Sequence, residues 1–128
     1  MIVVDTSALV AILLNEPEAE VCSQALEVET DVRISAGTLA EALIVAMKRQ
    51  RAEDMRLLVE GLGLTVEPLS SAGANRVSQA YGRWGKGVNR AGLNFGDCFA
   101  YALAKELDCP LLFVGEDFSR TDARPALA

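Results

Sequence analysis

Histidine is absent from this chain of 128 residues. That removes every mechanism turning on an imidazole, from Ser–His and Cys–His nucleophile pairs to histidine acid–base relays. Cysteine is scarce: Cys22, Cys98 and Cys109 are an odd number without CxxC spacing, so neither a disulfide framework nor a zinc site is expected. All three lie among apolar neighbours and read as ordinary buried thiols. No apolar run is long enough to span a membrane, and the N-terminus has neither the basic head nor the small-residue cleavage pattern of a secretory signal. A cytoplasmic protein is the expectation. Positive charge is also in short supply, with 12 Lys and Arg against 18 Asp and Glu, a net charge of −6. This argues against a strong non-specific nucleic-acid binder, which relies on neutralising phosphates. It leaves open an enzyme whose bound divalent ion cancels part of the acid excess.

What the chain does have is apolar content, 51%, enough for one globular domain spanning residues 1–128. Short β-type runs alternate with helical stretches. Strands are predicted at 2–4, Val32–Ala36, Leu64–Glu67 and Leu111–Val114. Helices are predicted over Ser7–Asn15, Pro17–Val28, Thr38–Gln50, Ala52–Gly61, Ser70–Trp84 and Phe95–Leu107. Thr38–Gln50 is apolar around most of its circumference and is expected in the interior. Gly85–Gly92, with three glycines, reads as the one long flexible stretch, and the tail from Asp122 reads as irregular. The alternation implies an α/β fold with a mainly parallel sheet of four to five short strands between helices. In such folds ligands bind beyond the carboxyl ends of the strands.

Four acids fall on that face. Asp5 closes the run Met1–Val4, and Asp117 follows Leu111–Val114; Glu41 and Asp97 lie in the expected first turns of two apolar helices. Each has a purely structural reading. Asp5 can cap the next helix, Thr38-x-x-Glu41 is a capping-box pattern, and Asn94-x-x-Asp97 is a weaker version of it. Asp117, with Glu116 beside it, can be a turn residue, as can Asp122. Together they form a set of hard oxygen donors of the kind Mg²⁺ or Mn²⁺ prefers. Among the cations, Arg83, Lys86 and Arg90 cluster just before Asp97 as candidate substrate contacts. Lys48, Arg49 and Arg51 suit the dipole at a helix end. Trp84 suits either base stacking or a core or dimer contact.

Val3-Val4-Asp5-Thr6-Ser7-Ala8-Leu9 resembles the opening of a PIN-domain ribonuclease. The stretches Tyr81–Gly87 and Arg90–Cys98, the latter with Leu93-Asn94-Phe95-Gly96-Asp97-Cys98, resemble its VapC branch, the toxins of bacterial toxin–antitoxin pairs. So does the closing Gly115-Glu116-Asp117-Phe118-Ser119-Arg120-Thr121-Asp122. The resemblance implies a three-layer α/β/α PIN-like domain with metal-binding and catalytic acids at Asp5, Glu41, Asp97 and Asp117, with Asp117 preferred over Glu116. It implies an Mg²⁺-dependent endoribonuclease in which Mn²⁺ can substitute, an RNA substrate, a cognate VapB-like antitoxin and a homodimer. Position 89 is Asn where the resemblance suggests His. Two other readings stand beside it: a phosphatase or phosphoryl-transfer domain with Asp5 as nucleophile, weakened because the usual second aspartate is Ser7, and a catalytically inactive PIN-fold binding module.

Overall fold

The computed structural model describes residues 1–127, so Ala128, the last residue of the expected domain, lies outside the described residues. Its elements run β1 (Ile2–Val4), α1 (Thr6–Leu13), α2 (Ala19–Val28), β2 (Val32–Ser35), α3 (Ala36–Lys48), α4 (Ala52–Leu62), β3 (Thr65–Glu67), α5 (Ser71–Trp84), α6 (Phe95–Leu107) and β4 (Leu111–Leu112). The four strands form a parallel sheet in the order β3-β2-β1-β4.

Strand side chains alternate between the two faces of the sheet and so feed two cores. Ile2, Val4 and Leu112 pack with Leu9, Cys22, Ala42 and Met55 of α1–α4. Val3 and Leu111 pack with Ala80, Cys98, Tyr101 and Leu103 of α5 and α6. The result is the expected three-layer α/β/α arrangement. From β1 the chain winds outward to β2 and β3, then returns to place β4 on the other side of β1. The crevice at the carboxyl ends of β1 and β4 is therefore the topological switch point.

Several boundaries differ from expectation, each for a local reason. Helix α2 begins at Ala19, with Pro17 in the preceding turn rather than opening the helix. Helix α3 begins at Ala36 because Ser35, the last residue of β2, caps it through a bond from Gly37 N. That leaves Thr38 inside the first turn, buried, and not a cap. Nor is α3 an interior helix. Only Thr38, Ala42 and Ala46 on one stripe are buried, while Leu43, Ile44 and Met47 are exposed. The interior helix is α6, buried without interruption from Gly96 to Ala104. The Gly85–Gly92 stretch is not a floppy linker. Lys86 N donates to Leu93 O and Leu93 N to Trp84 O, Gly85 accepts from Val88 and Asn89, and Asn89 Oδ1 braces Ala91 N at 2.8 Å.

Candidate active site

Asp5 leaves β1 with its N–H on Leu112 O, and it caps α1. Its Oδ2 accepts from Ser7 N at 3.0 Å and from Ser7 Oγ at 2.7 Å. Ser7 Oγ in turn accepts from Val114 N at 3.0 Å, which locks the end of β4 to the start of α1. The other oxygen, Oδ1, is buried and has no hydrogen-bond partner among the described residues. An unpartnered buried acceptor costs on the order of 1–3 kcal/mol. Only 3% of Asp5 is exposed. Burial raises its pKa to about 6 against the opposing Ser7 hydrogen bonds, and the Glu41 charge adds to the rise.

Glu41 is in the second turn of α3, not the first. Its Oε1 accepts from Thr6 Oγ1 at 2.6 Å, a bond linking two helices rather than closing a capping box. The carboxylate lies against the first turn of α6. A Cβ built on Gly96 would stand 2.0 Å from Glu41 Oε2 and 2.5 Å from Cδ, so glycine is what allows the approach.

The complete capping box is at α6. Asn94 Oδ1 accepts from Asp97 N at 2.8 Å, and Asp97 Oδ2 accepts from Asn94 N at 3.0 Å. Asp97 is 7% exposed. Burial raises its pKa to about 7; the Asn94 N–H opposes, and the charges of Asp5, Asp117 and Glu41 raise it further. The four acids thus share one electrostatic field. Asp117 is the exposed member, on a turn begun by Gly115 at φ 97 and followed by Phe118, which is buried against Phe113. Asp122 faces a different set, accepting from Tyr101 OH at 2.5 Å with Lys105 at 3.3 Å and Arg83 at 3.8 Å.

As placed, the acids do not close into a cage. Among the described residues no three Asp, Glu, Cys or His side chains converge tightly enough to hold one ion. The donor chemistry nevertheless fits a hard divalent cation: every group is a carboxylate, Asp5 Oδ1 lacks a partner, and Asp5 and Asp97 resist ionising without a positive charge nearby. Asp117 is the one of the four borne on an exposed turn.

The expected cation cluster divides. Arg83 sits over the Trp84 ring at 4.7 Å and beside Asp122, while Lys86 and Arg90 are exposed without carboxylate partners among the described residues. Trp84 packs into the α5–α6 core, with Nε1 donating to Tyr101 OH at 2.8 Å. Arg51 pairs with Asp54 and caps Leu13 O. Thr6, Ser7 and Gly96 are absent from the sequence-based site. Thr6 and Ser7 were open to recognition as the hydroxyls after a strand-end aspartate, but Gly96 had no local signal.

The family model of the PIN domain matches residues 2–124. Ribonuclease VapC42 of Mycobacterium tuberculosis is 42% identical over 128 residues, covering 97% of this chain and 98% of that protein. Among solved structures, VapC20 of Mycobacterium tuberculosis, described as a sarcin–ricin loop cleaving toxin, superposes with a TM-score of 0.71 at 20% identity. It covers 98% of this chain and 100% of that one. A toxin–antitoxin complex from Klebsiella pneumoniae gives 0.71 at 21% identity, covering 95% and 93%. These two likenesses concern the fold; the family-model match and the 42% identical relative carry the family. The chain is a PIN-domain protein of the VapC branch.

Proposed function

We propose that the chain is a divalent-metal-dependent endoribonuclease, the toxin of a toxin–antitoxin pair, using Mg²⁺ with Mn²⁺ as a substitute. The observation that carries the proposal is the set of four carboxylates in one field at the switch point, with a buried oxygen of Asp5 left without a partner. A relative 42% identical over nearly the whole chain is named a ribonuclease, which supports the same reading. Asp5, Asp97 and Asp117 would hold the cation. The ion, when bound, supplies Lewis acidity toward a phosphate oxygen and a water. Glu41, gripped by Thr6, orients the attacking water and accepts its proton. Ser7 and Asn94 each fix one oxygen of Asp5 and Asp97, which leaves the second oxygen of each for the ion. Protein treated with chelator is expected to leave RNA intact and to regain cleavage with Mg²⁺ or Mn²⁺. Full cleavage in chelator would remove the metal mechanism.

The partners follow from apolar surface. A groove of about 380 Å³ lined by Gly37, Ala40, Ile44, Val45, Phe95 and Phe99 runs to Glu41, and Phe95 is 72% exposed. A VapB-like antitoxin lays an apolar segment there and brings a basic side chain to the acids, silencing the enzyme in competition with the metal. Exposed Val21 and Leu57 add apolar area suited to a homodimer. No helix is long and apolar enough to cross a membrane among the described residues, and the proposed setting is the cytoplasm. Inhibition by the product of the neighbouring reading frame with metal affinity unchanged would rule out competition at the acids.

A further inference from the structure

Seven of the 12 cations are paired with carboxylates among the described residues: Arg33, Arg51, Arg56, Arg76, Arg83, Lys105 and Arg124. Of those left, Lys48 lies along the apolar groove of α3. Arg120 shares a polar cavity with one of the four acids. That cavity, about 300 Å³, is lined by Ala91, Glu116, Asp117, Ser119 and Arg120.

The local geometry fixes Arg120 there. Its Nη1 donates to Arg90 O at 3.1 Å, tying the closing turn to the loop before α6. Ser119 N and Oγ both bond Glu116 O, and Thr121 Oγ1 bonds Phe118 O, so the turn that bears Arg120 is closed on itself. A guanidinium holding one carbonyl keeps its other N–H groups, arranged as a planar fork that matches phosphate oxygens. Among the described residues no carboxylate pairs with them, although Glu116 and Asp117 line the same cavity. Two negative side chains would repel a phosphate there unless a cation stands beside them, and among the described residues lining the cavity Arg120 is that cation.

We infer that Arg120 is a substrate-binding residue that holds an RNA phosphate beside Asp117. The inference rests on the ribonuclease reading above. It moves the phosphate path away from Arg83, which is engaged by Asp122 and Trp84.

The test is fluorescence anisotropy of a short labelled single-stranded RNA of mixed sequence, titrated at several salt concentrations. The background is Asp97→Asn, which keeps the RNA whole. Arg120→Gln retains a donor for Arg90 O and removes the charge. It should bind about tenfold more weakly, as for loss of one charge-assisted bond. Its salt slope should fall by about 0.7, the contribution of one phosphate on a single strand. Arg120→Lys should keep the slope, and Arg56→Gln, which removes a charge from α4, should match the parent. With Asp97 restored, Arg120→Gln should raise KM far more than it lowers kcat. Parental affinity and slope in Arg120→Gln would overturn the inference, as would an equal loss in Arg56→Gln. If the wild-type chain cleaves RNA while Arg120→Gln behaves as wild type, the inference alone fails. If the wild type neither binds nor cleaves RNA, both readings fail; binding without cleavage sinks only the enzymatic one.

Discussion

Replacing Gly96 with Ala separates the placement of Glu41 from the stability of the fold. The added Cβ would meet Glu41 Oε2 at 2.0 Å, Cδ at 2.5 Å and Oε1 at 2.7 Å. The obstructing atoms are the tip of a flexible side chain, not backbone, so Glu41 can retreat to the 3.4 Å of ordinary contact. Retreat breaks the bond from Thr6 Oγ1, a loss of about 1.5 kcal/mol for a partly buried hydrogen bond to a charged group. Alanine in place of glycine in a helix returns up to about 1 kcal/mol. The net change in stability should therefore be a loss of about 0.5 to 1.5 kcal/mol, visible as a modest shift in a thermal melt. Activity should respond differently, because a group displaced by an ångström or more from its working position costs on the order of a hundredfold in rate. The assay is RNA cleavage at saturating Mg²⁺ alongside the melt. In a Glu41→Ala background the Gly96→Ala change should have no further effect on cleavage. A Gly96→Ala protein that folds normally and cuts RNA at the wild-type rate would refute the role given to Glu41.

Two further outcomes are expected. Asp5 and Asp97 have folded pKa values raised to about 6 and about 7, against roughly 4 in the unfolded chain. Between those limits the folded state binds more protons, so their contribution makes metal-free stability fall as pH rises from about 4 to about 7 and then level off. Melts of chelator-treated protein should show that fall reduced in Asp97→Asn; equal slopes would contradict it. Light scattering at micromolar concentration should report a homodimer, given exposed Val21 and Leu57 outside the antitoxin groove, and a strictly monomeric species would overturn that proposal.

The positions of Asp5 and Asp97 were legible because local rules set them. A β-branched run ends at Asp5, and the Asn94-x-x-Asp97 spacing is a capping box that the structure completes. The strand and helix order was legible for the same reason, since period-2 and helical patterns need no knowledge of neighbours. Glu41 was misread locally. Ser35 caps α3 one turn before the Thr38 that matches the motif, and the partner of Glu41 is Thr6, 35 residues away. The apolar circumference of α3 also misled, because the sequence cannot say which face a neighbour covers. Here Thr38, Ala42 and Ala46 are covered while Ile44 and Met47 are open. Arg120 and Gly96 carry no local signal at all. Gly96 acquires its place only when α3 brings Glu41 against α6, and Arg120 only when the closing turn meets the loop before α6.

Titration of the purified protein with Mn²⁺ in the absence of RNA, followed by calorimetry, tests the central claim most directly. The account predicts saturable binding by the wild-type chain that is lost or greatly weakened in Asp5→Asn and in Asp97→Asn, both still folded. Unchanged Mn²⁺ binding in either variant, or no binding by the wild type, would contradict it.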